Sequence, residues 1–115
     1  MSKGYVYLIR QGESDLYKIG STNKSPQIRL LQLQCGNPEI LNLMQVYKTE
    51  NYKKIEHLMH IAYGKHRVRN EWFRFDVSME DEFINECQKK ENAARVLIEQ
   101  EYRDKKWKNW LKKNN

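Results

Sequence analysis

The sequence predicts a mixed α/β (α+β) fold, and three observations carry that prediction. Two short segments rich in Tyr, Val, Leu and Ile are separated by turn residues. Two further stretches place apolar residues at helical spacing behind start signals, and no Gly or Pro occurs from Ser78 onward. Residues 4–10 and 16–21 read as a β-hairpin, with Gln11 to Asp15, including Gly12, as a loop longer than the two-residue minimum. Ser25-Pro26 reads as N-cap and first residue of a helix through Gln34, since the first helical turn does not use the donor that proline lacks. Its Ile28, Leu31 and Leu30 or Leu33 are expected to face the sheet, with Arg29 near the rim and Cys35-Gly36-Asn37-Pro38 as the stop.

Residues 40–48 read as a third strand whose alternation is imperfect around Met44–Val46. Asn51 to Tyr63 reads as a second helix, with Tyr52, Ile55, Leu58 or Met59, and Ala62 on one face and Gly64 closing it. Lys65 to Asn70 reads as a basic loop and Glu71–Phe75 as a short aromatic strand. Ser78 with Asp81 resembles a capping box. Beyond it, Phe83, Ile84, Cys87, Ala94, Leu97, Ile98 and Tyr102 mark a stripe for one long helix or two shorter ones. Five lysines between Lys105 and Lys113 surround Trp107, Trp110 and Leu111. The composition shift gives two regions, residues 1–77 and a helical extension over 78–115 with a basic, Trp/Lys-rich tail.

The 115 residues fit one domain with a thin core, so few large apolar residues can be left at the surface. The 21 Lys and Arg against 15 Asp and Glu give a formal charge of +6, which favours polyanionic partners, nucleic acid before an anionic membrane surface. Cys35 and Cys87 are isolated thiols without zinc spacing and suit a reducing compartment. The N-terminus lacks a basic segment followed by an apolar stretch, and no apolar run reaches membrane-spanning length. A soluble, cytoplasmic protein is expected.

Five signatures follow one another: Gly4-Tyr5-Val6-Tyr7-Leu8-Ile9, Leu16-Tyr17-Lys18-Ile19-Gly20-Ser21-Thr22, Arg29, Glu56 with His60, and Glu71-Trp72-Phe73. In this order they resemble the GIY-YIG nuclease superfamily over residues 3–76, nearest its phage-type branch, in which the second signature reads Tyr-Lys-Ile-Gly-x-Thr. Tyr5 replaces the usual glycine and Lys18 the usual tyrosine, while Tyr7 holds the functional tyrosine position. Arg29 matches the arginine of the first helix, Glu56 the metal-binding glutamate of the second, and Asn70 lies near the last asparagine. Leu33 stands where some members carry a histidine or tyrosine, which leaves the general base open. The resemblance implies a three-stranded antiparallel sheet flanked by helices, one divalent cation (Mg2+ or Mn2+) and hydrolysis of DNA phosphodiester bonds.

Each candidate has a bland alternative. Glu56 and His60 share a helical face, and a carboxylate suits a hard cation that keeps several waters; the alternative is a solvated helix glutamate. His60 is a candidate to orient Glu56, bind phosphate or accept a proton, or else a hydrogen-bonded edge histidine. His57 and His66 read as surface residues. Tyr7 is a candidate base if cations lower its pKa, or else core packing, and Lys18 is its cationic helper on the neighbouring strand. Arg29 offers a planar fork to phosphate oxygens or is simply solvated. Lys18, Arg29, Lys65, Arg67 and Arg69, with Arg74, form the expected nucleic-acid track, while Trp72 and Phe73 read as core.

The expected function is a metal-dependent DNA endonuclease, with RNA as the other substrate class. The rivals are a nucleic-acid-binding module that has lost turnover and an interaction protein acting through its C-terminal helix. A homodimer or a protein partner on that helix is expected because Leu97, Ile98, Tyr102, Trp107 and Trp110 exceed what a thin sheet can cover.

Overall fold

The computed structural model describes residues 3–114, so Met1, Ser2 and Asn115 of the two expected regions lie outside the described residues. The elements run β1 (Gly4–Gln11), β2 (Leu16–Thr22), α1 (Pro26–Gln34), β3 (Leu41–Thr49), α2 (Tyr52–Ala62), a 3-10 turn (Gly64–His66), β4 (Arg67–Arg69), β5 (Trp72–Arg74) and α3 (Val77–Lys113). The strands form one antiparallel sheet in the order β3-β1-β2-β5-β4. Three of them are the expected central strands. The sheet is wider than three because part of the basic segment folds back as β4 on β5 through Asn70, whose φ of 52° is one that asparagine tolerates.

Helices cover both sheet faces. Tyr7, Ile9 and Leu41 pack with Leu30, Leu33 and Trp72 on the α1 side. Val6, Leu8, Tyr17, Ile19 and Phe73 pack with Ile55, Met59, Phe83 and Cys87 on the side of α2 and α3. A strand buried on both faces has no polar side, which is why residues 6–9 are all apolar or aromatic and all buried. The irregular alternation in β3 has a register cause. Leu8 faces Gln45 while Ile9 faces Leu43, so Met44 is an inserted bulge residue.

Several sequence expectations are corrected by packing. On α1, Leu30 and Leu33 reach the sheet, but Ile28 and Leu31 are exposed. On α2, Ile55 and Met59 are buried and Ala62 is exposed. α3 is a single helix capped by Asp76, which accepts from the Met79 backbone at 3.2 Å, while the Ser78 hydroxyl donates to Asp76 instead of capping. The helix therefore begins two residues before the expected capping box.

The first half of α3 belongs to the core. Tyr17 donates to Glu80 at 2.7 Å, and Thr49 donates to Glu91 at 2.6 Å. Phe83, Cys87 and Ala94 are fully buried, and Lys54 on α2 meets Glu101 at 3.6 Å. Among the described residues no helix is long and apolar enough to cross a membrane. Replacing Phe83 by alanine should cost about 3–5 kcal/mol, because the surrounding sheet and helices cannot collapse into the space. Urea unfolding measures that loss.

Candidate active site

The site forms where β2 runs out of a partner. β5 pairs with Leu16, Tyr17 and Lys18, and the Ile19 amide donates to the Glu71 carbonyl at 3.1 Å. Gly20, Ser21 and Thr22 then continue beyond the end of β5. At such an edge, side chains from both sheet faces can meet. Tyr7 comes from the α1 face, while Glu56 and His60 come from α2 on the opposite face.

Gly20 explains how Tyr7 arrives there. The two residues are direct partners across β1 and β2, and the tyrosine ring lies over the glycine. A Cβ on Gly20 would sit 2.3 Å from the Tyr7 hydroxyl and 2.5 Å from its ring carbon Cζ. The glycine makes room for a side chain here; its backbone φ is not in the left-handed region. Arg29, one turn into α1, lies near enough to oppose the rise in the Tyr7 pKa. It also donates to Gln32 at 3.3 Å.

The Tyr7 phenol is pushed above its ordinary value of 10.0, first by burial, with Arg29 pulling the other way and Glu71 and Glu56 adding to the rise. At neutral pH it is therefore a hydrogen-bond donor. Glu56 is likewise raised above its ordinary value of 4.5, first by burial and then by the neighbouring charge of Glu71. His60, the Ser21 hydroxyl and Lys18 oppose that rise. Both groups thus sit in a place where negative charge is unwelcome unless more positive charge is supplied.

Lys18 is buried and ion-paired with Glu71, and its ammonium lies 5.8 Å from the centre of the Trp72 ring. Its ammonium is turned toward Glu71, and its charge opposes the rise in the Glu56 pKa. His60 Nε2 lies 2.8 Å from the Ile19 carbonyl, which can only accept, so this nitrogen carries the proton. Arg67 Nη2 donates to Nδ1 at 3.2 Å, and the Arg67 guanidinium also covers the Phe73 ring at 5.6 Å. Both ring nitrogens of His60 are thus engaged at the open edge of β2.

The remaining expected contacts are spread around this centre. Lys65, Arg67 and Arg69 are exposed along the 3-10 turn and β4, whereas Arg74 pairs with Asp15 at 3.3 Å. Two participants escaped the sequence reading. Glu71 and Ser21 stand within the signatures, Glu71 also opening the aromatic strand, but neither is among the expected site residues. Only the register, which sets residue 71 beside the edge at Ile19, brings them in.

Among the described residues no group of three or more His, Cys, Asp or Glu side chains converges to hold a metal ion. The donor chemistry still fits a hard divalent cation of low protein denticity. Glu56 is a half-buried carboxylate with a hydroxyl beside it, raised in pKa by a second carboxylate, and magnesium keeps most of its waters. Next to it a cavity of about 320 Å³ is lined by Ser21, Lys24, Arg29, Tyr52 and Lys53.

Two measurements check this geometry. Gly20→Ala should destabilise the protein by about 1–3 kcal/mol through overpacking. The same change in a Tyr7→Ala background should cost much less, giving a favourable coupling in a double-mutant cycle. Glu56→Gln should raise the melting temperature of the metal-free protein at pH 7. A raised carboxylate pKa means that the folded state holds the proton more tightly than the unfolded one, so stability falls as pH rises through the folded value. The advantage of the variant should therefore shrink as pH drops toward 4.5 and vanish below it.

Comparison with known proteins adds one finding. No curated protein and no solved structure matches the chain. The model of the T5orf172 domain matches residues 4–90, well over half of the sequence, and this span covers the sheet, both short helices and the buried start of α3. The chain thus belongs to the T5orf172 domain family, a phage-associated domain found in nuclease-like proteins.

Proposed function

We propose that the protein is a metal-dependent endonuclease that hydrolyses DNA phosphodiester bonds through a GIY-YIG-type site. The observation that carries this reading is the meeting of Glu56, Tyr7 and Arg29 at one open strand edge, although they come from opposite faces of the sheet. Glu56 would hold a Mg2+ or Mn2+ ion, which when bound would supply Lewis-acid polarisation of the scissile phosphate. Arg29 presents its fork to the non-bridging oxygens and stabilises the charge that builds there in the transition state. The ionised fraction of Tyr7, supported by Arg29, takes the proton of the attacking water, and as the P–O bond to the 3′ oxygen breaks that oxygen takes a proton from solvent. Lys18 holds Glu71 beside Glu56, and His60 holds the β2 edge in register. Arg67, Arg69 and Lys65 then contact backbone phosphates without reading sequence. A phosphodiester in RNA offers the same oxygens, so a ribonucleotide substrate is the neighbouring case.

A second reading, a nucleic-acid-binding module without turnover, is favoured by two observations. Tyr7 is raised and not lowered in pKa, and the described residues offer no multidentate metal cluster. Plasmid nicking separates the two. With Mg2+ or Mn2+ the protein should nick supercoiled DNA, and Glu56→Gln or Arg29→Ala should slow it by about 100-fold or more. The nicking rate should climb from pH 7 to pH 9 without a plateau, because the base form of a phenol raised above 10 keeps growing over that range, and Tyr7→Phe should abolish the climb. Nicking unchanged in the Glu56 variant refutes the site; DNA binding without cutting favours the module.

A further inference from the structure

The last part of α3 is an arm. Among the described residues Ala94 is the last fully buried one, and Glu101 makes the last ion pair to another element. From Tyr102 to Asn114, every hydrogen bond and ion pair among the described residues stays within the helix. Twelve helical residues at about 1.5 Å each project about 18 Å beyond the body, in keeping with a longest dimension of 62 Å against 27 and 22 Å. The arm lies past residue 90, where the family match ends.

Its side chains are not those of an inert solubilising end. Trp107 and Trp110 stack in parallel, with ring centres 5.2 Å apart and planes within 7°, and both are more than half exposed. Arg103 and Lys106 line the same apolar hollow as the two indoles, and Lys106 also sits 6.0 Å from the Tyr102 ring. Residues 103–113 hold Arg103 and five lysines against one acid, Asp104.

A self-pairing seam needs apolar residues at a coiled-coil repeat. The exposed Val96, Leu97, Ile98, Tyr102, Trp107 and Trp110 instead follow one another at spacings of 1, 1, 4, 5 and 3, which scatters them around the helix. A second copy would also set like charges against each other along the arm. Flat aromatic faces interleaved with cations match a different occupant, an unpaired nucleic-acid strand, whose bases stack while its phosphates meet the cations. Lys53 lines both the cavity beside Arg29 and the neighbouring one, which Glu50, Lys54 and Ile98 of α3 also line, so the two cavities share a wall near the root of the arm.

We propose that the Trp107–Trp110 stack with Arg103 and Lys106 is a second nucleic-acid contact, one that holds single-stranded nucleic acid apart from the site at Glu56. The test is binding of the full chain to a fluorescein-labelled oligothymidylate of about 15 nucleotides at low salt with EDTA, read by anisotropy, so that cleavage plays no part. Trp107→Ala with Trp110→Ala should weaken binding about tenfold or more. Phenylalanine at both positions should restore much of it, and Arg103→Gln with Lys106→Gln should flatten the salt dependence. The melting temperature of each variant should match the wild type, because these side chains touch no core residue.

Affinity unchanged by the alanine pair overturns the proposal. So does a preference of the wild type for anionic phosphatidylglycerol vesicles over the oligonucleotide. A dimer in sedimentation that the alanine pair dissolves, without oligonucleotide affinity, overturns it in favour of self-association. An equivalent oligouridylate binding equally well supports the stacking mode, which every base can satisfy.

Discussion

Strand β2 keeps a partner along only part of its outer edge, and Tyr7, Arg29, Glu56 and Glu71 gather around that interruption. A sheet covered by helices on both faces normally separates the residues of its two sides by the thickness of the backbone. Where β5 stops, that separation ends, and side chains rooted in α1, in α2 and in the β4–β5 turn come within electrostatic reach of one another. Backbone groups left open at such an edge need partners. His60 answers for one of them by donating to the Ile19 carbonyl, with Arg67 behind it. The histidine is thus part of the frame of this edge.

The electrostatics of the pocket are frustrated by design of placement. Burial and the charge of Glu71 disfavour the ionised form of Glu56, Tyr7 resists ionisation in the same place, and Lys18 and Arg29 compensate only in part. Such a pocket is stable when protonated or when more positive charge arrives. Either condition would relieve the crowding of negative charge around Glu56 and Tyr7. The neighbouring Lys24 and Lys53 extend the same attraction into the adjoining cavity.

Much of this was legible in the order of residues. The hairpin, the proline-started α1, the long final helix and the string of signatures all rest on local rules, and local rules survive folding well. What failed was the choice of face on a short helix. Leu30 and Leu33 were distinguishable from Ile28 and Leu31 only by the tilt of α1 on the sheet, which no spacing reveals. β4 was hidden because Arg67, Val68 and Arg69 are all exposed, leaving no alternation to read. Glu71 and Ser21 could not be placed without the register of β2 on β5, and Lys18 looked free because its partner is 53 positions away. Asp76 outcompeted Ser78 as a cap because only its side chain is oriented toward the Met79 amide.

The burial of Phe83 and Cys87 under α2 has a consequence for how the polypeptide acquires its shape. The sheet and the helix carrying Glu56 leave an apolar face uncovered until residues some 60 to 80 positions after β1 come back to it. On a ribosome, the N-terminal strands emerge early yet stay unfinished, with β3 and its neighbours offering open backbone and greasy surface to the surroundings. Closure waits for the start of α3. The order of synthesis therefore delays assembly of the pocket until nearly all of the body has been made, and a nascent fragment ending at the aromatic strand has the signatures without the shape that gives them meaning.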